Sequence, residues 1–81
     1  MLVTLRLFAR LRELAGHSEL TLELPDGASA RSLWDGLARE YPALAPYERT
    51  ISCAINEEYA RMSTPLHDGD EVAFLPPVSG G

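Results

Sequence analysis

The sequence has no lysine and no glutamine, one asparagine (Asn56), one cysteine (Cys53) and one tryptophan (Trp34). Without lysine, the only free amine is the α-amino group of Met1, so no side chain invites amine chemistry. A single cysteine excludes a disulfide within the chain and any cysteine-built metal cluster. Apolar runs fall far short of the roughly 20 residues a membrane span needs, and Met1 leads straight into strand-like sequence. The expectation is a cytoplasmic protein with neither a membrane segment nor a signal peptide. Positive charge is scarce too: seven arginines face twelve acidic residues, for a formal net charge of -5. With no cationic surplus to displace counterions, a nucleic-acid partner is not expected, and an electropositive protein surface fits better. The 81 residues suffice for one small domain with one modest core, not for a pocket walled on all sides. What is present, 46% hydrophobic and 23% charged residues, is ordinary for a folded domain.

Periodicity supplies the elements. In Leu2 to Phe8, Val3, Leu5 and Leu7 share one face and Thr4, Arg6 and Phe8 the other, which predicts a strand. Ala9 to Ala15 predicts a short helix closed by Gly16. Glu19 to Leu24 alternates again, with Leu20, Leu22 and Leu24 expected inward, and Pro25-Asp26-Gly27 is a turn. From Ala30 to Tyr41, apolar residues at Ala30, Leu33, Trp34, Leu37, Ala38 and Tyr41 make one helical stripe. Ser29 is its N-cap and Pro42 its stop; Gly36, inside it, costs roughly 1 kcal/mol relative to Ala, which packing is expected to offset. Residues 42–50 read as irregular linker. Ile51, Cys53 and Ile55 alternate inward along a third strand, Asn56-Glu57-Glu58 turns, and a short strand-like piece covers Tyr59 to Met62. After Asp68-Gly69-Asp70 comes a last strand, Glu71 to Leu75, with Val72 and Phe74 inward. Half-buried strands around one strong amphipathic helix predict an α+β domain over residues 1–75, a mixed sheet packed on that helix. Residues 76–81 form an extended tail.

The usual catalytic constellations are missing. His17 and His67 lie far apart in the sequence in loop-like segments. Cys53 occupies an inward strand position, where a small buried hydrophobe is expected rather than a nucleophile. Glu57-Glu58 and Asp68 with Asp70 sit in turns without a partner base or metal-ligand spacing, and no glycine-rich phosphate loop occurs. No metal site and no self-contained active site follow from these residues. The tail Pro76-Pro77-Val78-Ser79-Gly80-Gly81 is different. Two terminal glycines arise by chance in roughly 0.5% of chains at a glycine usage of about 7%. Pro76 and Pro77 stiffen the departure from the sheet, and Gly80 and Gly81 remove all side chains near the carboxylate. At about 3.3 Å per residue the tail reaches roughly 20 Å, enough to thread a narrow channel in another protein.

The stretches Phe8-Ala9-Arg10-Leu11-Arg12-Glu13-Leu14-Ala15-Gly16, Ala54-Ile55-Asn56 and Pro65 to Gly81 carry a resemblance. The chain resembles the ubiquitin-like β-grasp proteins and, more closely, the small sulfur-carrying subunits of molybdopterin synthase. The specific part is the ending Asp-Gly-Asp-Glu-Val-Ala-Phe-Leu-Pro-Pro-Val-Ser-Gly-Gly, with Ser79 where threonine is frequent. The resemblance implies that an adenylyltransferase similar to ubiquitin-activating enzymes uses ATP and magnesium to adenylate Gly81. A sulfurtransferase or cysteine desulfurase then makes a thiocarboxylate, and the large synthase subunit receives the tail, where the sulfur attacks the pyranopterin precursor. Because Gly81 ends the sequence, no protease is expected to be needed, and no cofactor is expected to be bound permanently. Phe8, Ala73 and Leu75 would form the partner-facing patch, with Arg6 flanking it or simply solvated. Three alternatives stay open: a thiamine-type sulfur carrier, a protein modifier joined through Gly81 to a target lysine, and a non-covalent binding module. Pro-Pro-Val-Ser weighs against the first, the bond formed at Gly81 separates the second, and loss of Gly81 separates the third.

Overall fold

The computed structural model describes residues 1–77. Strands β1 (Leu2–Leu7), β2 (Glu19–Glu23), β3 (Ser52–Ile55), β4 (Glu58–Ala60) and β5 (Glu71–Leu75) form one mixed sheet in the order β2-β1-β5-β3-β4. Helix α1 (Ala9–Ala15) joins β1 to β2, and α2 (Ala30–Glu40) follows β2. The first and last strands are parallel neighbours, Leu5 beside Val72 and Leu7 beside Phe74, while β3 flanks β5 on the other side in antiparallel register. This is the expected α+β arrangement.

Strict alternation decides the faces. Val3, Leu5, Leu7, Cys53, Val72 and Phe74 point to one side and join Ala30, Leu33, Trp34 and Leu37 of α2 in a single buried cluster. Its centre is the pair Trp34 and Phe74, edge to face with ring centroids 5.1 Å apart. Such pairs add about 0.5–1.5 kcal/mol beyond the area they bury. No polar side chain is buried among the described residues. The start of α2 is satisfied from two sources. Ser29 and Ser32 cap each other reciprocally, Ser32 N–H donating to Ser29 Oγ at 3.2 Å and Ser29 N–H to Ser32 Oγ at 2.8 Å. The N–H groups of Ala30 and Arg31 donate to the carbonyls of Thr64 and Met62 at 3.1 and 2.7 Å, so the segment after β4 straps the helix to the sheet. Gly16, at φ 78, closes α1 as expected.

Three expectations are corrected. Residues 42–50 are not wholly irregular: Pro42–Tyr47 is a 3₁₀ helix, with Pro42 in its first turn and Leu44 fully buried. Asn56 and Glu57, at φ 52 and 70, alone make the β3–β4 turn, the two-residue form with both central residues left-handed. Glu58 therefore opens β4, which ends at Ala60 rather than Met62. Leu20, Leu22 and Leu24 reach the core only from its margin and stay half-buried, because β2 is an edge strand. At Gly36 itself nothing requires a glycine, since a Cβ built there meets nothing within 4 Å, while the same helix buries Ala30, Leu33, Trp34 and Leu37.

Gly36→Ala is therefore expected to stabilise the fold by about 0.5–1 kcal/mol. In thermal denaturation followed by circular dichroism this corresponds to a rise of several degrees, of the order of 4 °C, in a domain of this size. An unchanged or lowered midpoint would contradict the open surroundings of Gly36.

Candidate functional site at the exit of the last strand

Strand β5 ends at Leu75, and Pro76 and Pro77 follow, the first half-buried and the second exposed. Val78, Ser79, Gly80 and Gly81 lie outside the described residues, so the expected tail is described only through its first two prolines.

The register places the expected patch residues together. On the outer face, Arg6 pairs with Ala73, Ala73 with Ala54, and Ala54 with Tyr59, a row crossing β1, β5, β3 and β4. Beyond Leu7 and Phe74, Phe8 and Leu75 continue on the same face. The result is a shallow hollow of about 260 Å³ lined by Arg6, Phe8, Ala73 and Leu75 together with Ala54, Glu57, Tyr59 and Glu71. Its floor is low because Ala54 and Ala73 are small, and its walls are Phe8 and Tyr59, 37% and 81% exposed. Two large exposed rings beside one hollow make a contiguous apolar patch, not scattered surface apolarity. Ala54, Glu57, Glu71 and Tyr59 escaped sequence reasoning. The β4 boundary hid them: a hairpin turning at Asn56-Glu57 is needed to set Tyr59 opposite Ala54.

Local backbone geometry aims Phe8. It is the extended N-cap of α1, and the next residue, Ala9, has φ 51, a left-handed conformation costing roughly 1–2 kcal/mol for a residue with a Cβ. Arg6 lies over the ring, its guanidinium carbon 5.5 Å from the centroid. Its carboxylate neighbours Glu19 and Glu71 are each 3.8 Å away, long and exposed contacts worth well under about 1 kcal/mol. Arg6 thus lines the hollow beside these neighbours while its side chain stays 44% exposed to solvent.

The acidic turns prove to be the frame of this site. The Asp70 carboxylate accepts from His67 N–H at 2.8 Å and Asn56 Nδ2 at 2.9 Å, and Asn56 Oδ1 accepts from Glu71 N–H at 3.0 Å. Asp68 accepts from Leu2 N–H at 2.7 Å, and Gly69, at φ 87, donates to the Leu2 carbonyl at 2.8 Å. Together they tie the start of β5 to the start of β1 and to the β3–β4 turn. Cys53 is 1% exposed and its thiol donates to the Ala60 carbonyl at 3.2 Å. Burial pushes that thiol up from its ordinary range, which withholds the thiolate a nucleophile needs. His17 and His67 are both exposed, His67 with its imidazole 3.9 Å from Asp70. No group of three or more His, Cys, Asp or Glu among the described residues could hold a metal ion. Among the described residues, the geometry offers a partly apolar hollow beside the end of β5, with no base set against a nucleophile.

The ThiS family model matches residues 5–81. The molybdopterin synthase sulfur carrier subunit of Chlamydomonas reinhardtii is 46% identical over 76 residues, covering 91% of this chain and 92% of that one. Small archaeal modifier protein 1 from Methanosarcina acetivorans is 36% identical, with a TM-score of 0.80 over 99% of this chain and 96% of that one. The complex of subunits 1 and 2 of the molybdopterin-converting factor from Helicobacter pylori contains a chain that matches at 26% identity and a TM-score of 0.69, over the full length of both.

Removing the clamp with Asp70→Ala is expected to cost about 2 kcal/mol, since charge-assisted hydrogen bonds are worth about 1.5–3 kcal/mol each. Urea unfolding should show a lowered midpoint with an unchanged slope; an unshifted midpoint would deny the clamp its role. Cys53 should resist iodoacetamide in the native protein and label fully in denaturant. Rapid native labelling would contradict its burial.

Proposed function

The chain belongs to the ThiS family, among relatives that are molybdopterin synthase sulfur carrier subunits, and on that premise we propose that it carries sulfur on the C-terminal carboxylate of Gly81 for synthesis of the molybdopterin dithiolene. The observation that supports this reading is the exit of β5 beside the hollow between Phe8 and Tyr59. A partner that binds the hollow receives the tail at the same time.

The chemistry follows from the weakness of a carboxylate as an electrophile. A Gly81 carboxylate oxygen attacks the α-phosphorus of ATP, with magnesium on the phosphates, and pyrophosphate leaves. The terminal sulfur of a persulfide on a sulfurtransferase or cysteine desulfurase then displaces AMP from the acyl-adenylate to give an acyl disulfide, and a second thiol cleaves its S–S bond, forming a disulfide with the donor's sulfur and leaving the thiocarboxylate. In the large synthase subunit, the thiocarboxylate sulfur attacks an oxygen-bearing carbon of the pyranopterin precursor, the C–S bond forming as the C–O bond at that carbon breaks and its oxygen leaves on phosphate or as water. Water cleaves the acyl–sulfur bond, sulfur stays on the pterin, and the Gly81 carboxylate is regenerated. One loaded carrier is used for each dithiolene sulfur. The domain supplies recognition, while the activating enzyme and the large subunit supply pockets and acid–base groups. Apart from Met1, the chain offers no amine to consume the acyl-adenylate. The reading places this work in the cytoplasm; among the described residues, no helix is long and apolar enough to cross a membrane.

A second reading rests on the likeness to small archaeal modifier protein 1, at 36% identity: the same adenylate would then be captured by a lysine of a target protein. Intact mass measurement after incubation with ATP, an activating enzyme and a sulfur source separates the two. The carrier gains the mass difference of sulfur replacing oxygen at Gly81, whereas the modifier appears as amide adducts on target lysines. Deleting Gly81 should abolish sulfur transfer with the fold intact. Tyr59→Ala, at an 81% exposed position, should leave stability within about 0.5 kcal/mol, and Phe8→Ala, at a position only 37% exposed, should cost about 1 kcal/mol with the fold kept; both should weaken large-subunit binding, and unchanged binding in both would remove the hollow from the interface.

A further inference from the structure

We infer that the open edge of β2, with the groove beside it, is a second docking surface that takes an extended segment of a partner protein bearing alternate apolar and basic side chains. The edge provides the first reason. β2 has a neighbour on one side only, and hydrogen bonds join Leu24 to Met1 and Ser18 to Leu7 across that pair. Antiparallel alternation then sends the N–H and C=O groups of Glu19, Thr21 and Glu23 away from β1, toward the open side. A strand edge of this kind accepts an added strand through main-chain hydrogen bonds.

Gly36 provides the second. Between β2 and α2 runs a groove of about 220 Å³, with apolar walls at Leu20, Leu22, Leu33 and Leu37 and acidic residues at Glu23 and Glu40. Gly36 opens into it. The helix does not need a glycine there, because its φ is outside the left-handed region and a Cβ would meet nothing within 4 Å. A chain lying in the groove does need one, since only glycine lets it approach the helix backbone closely.

Charge selects the occupant. An added strand sets alternate side chains beside Leu20 and Leu22 on one face and beside Glu19, Thr21 and Glu23 on the other. Glu23 forms no ion pair among the described residues, and Glu19 meets Arg6 only at 3.8 Å, so basic side chains complement the outer row. A second copy does not fit. Antiparallel pairing about Thr21 would oppose Glu19 to Glu23 twice, between chains that each carry a net charge of -5. The groove lies on the helix side of the sheet and the hollow on the other, so both can be filled together.

The test is a titration of the full chain with a short fluorescein-labelled peptide alternating Val and Arg, read by anisotropy and by amide chemical shifts. Saturable binding is expected, with shifts confined to β2 and the groove side of α2. Gly36→Leu, which fills the groove, and Glu23→Lys should each weaken it about tenfold or more, with circular dichroism confirming that both fold. The same peptide with Glu in place of Arg should not compete. Equal binding of the Glu peptide, shifts centred on Phe8 and Tyr59, self-association without peptide, or no saturable binding would each overturn the proposal.

Discussion

The position of β5 is the constraint on which the remaining structure depends. It is the last strand in sequence, yet it lies at the centre of the sheet, parallel to β1 and antiparallel to β3. A strand so placed must bury one face completely, and Val72 and Phe74 are fully buried. A slip of one residue would turn Phe74 outward, away from Trp34, and replace it inside with Ala73 or Leu75. The side-chain clamp at Asp70 and Asn56 stands at the entrance of β5, where such a slip would have to begin. Register, core and tail exit are thus one problem with one solution. Fixing Phe74 against Trp34 also fixes Leu75 beside Phe8 and sends Pro76 off that corner of the sheet.

Charge has little part in holding this arrangement. The ion pairs are exposed and several are long, whereas the core is apolar and free of buried polar side chains among the described residues. Surface pairs of this kind contribute little to stability. The acidic surplus is therefore available for encounters with other molecules, where charge acts on association rates and on partner choice more than on folding. Arg6 illustrates the point. Its two long contacts barely stabilise the fold, but they and the Phe8 ring hold a positive group at the rim of an otherwise apolar and acidic hollow.

Legibility in the sequence followed the range of the interactions. The stripe of α2, its Ser29 cap, the Gly16 closure and the alternation of β1 and β5 are local patterns, and each was readable from a few neighbouring residues. Phe8, Ala73 and Leu75 could be grouped only because the family resemblance supplied the neighbourhood of β1 and β5. What local pattern could not show was Tyr59, whose place depends on a tight turn made by Asn56 and Glu57, neither of them glycine. Nor could it show that Asn56 reaches Asp70, since nothing near either residue in sequence announces a contact across the sheet. Leu44 in the 3₁₀ helix was hidden by its flanking prolines, which suggest an irregular path although Pro42 is compatible with a first helical turn. The open surroundings of Gly36 are likewise a property of three dimensions.

The sheet thus carries two surfaces of different origin. The hollow on the outer face exists because Ala54 and Ala73 are small where Phe8 and Tyr59 are large, so it is made by side-chain size across neighbouring strands. The groove by β2 exists because one edge of the sheet has no neighbour and one helical position has no side chain, so it is made by omission. Strand spacing of about 4.8 Å puts β2 roughly 10 Å from β5, on the far side of β1. Contact at the groove need not touch Leu75, the last residue of β5, whereas contact at the hollow does, because Leu75 lines it. A domain too small to enclose an active site can in this way keep two binding tasks apart, since the hollow adjoins the end of β5 on one face of the sheet and the groove opens on the opposite face.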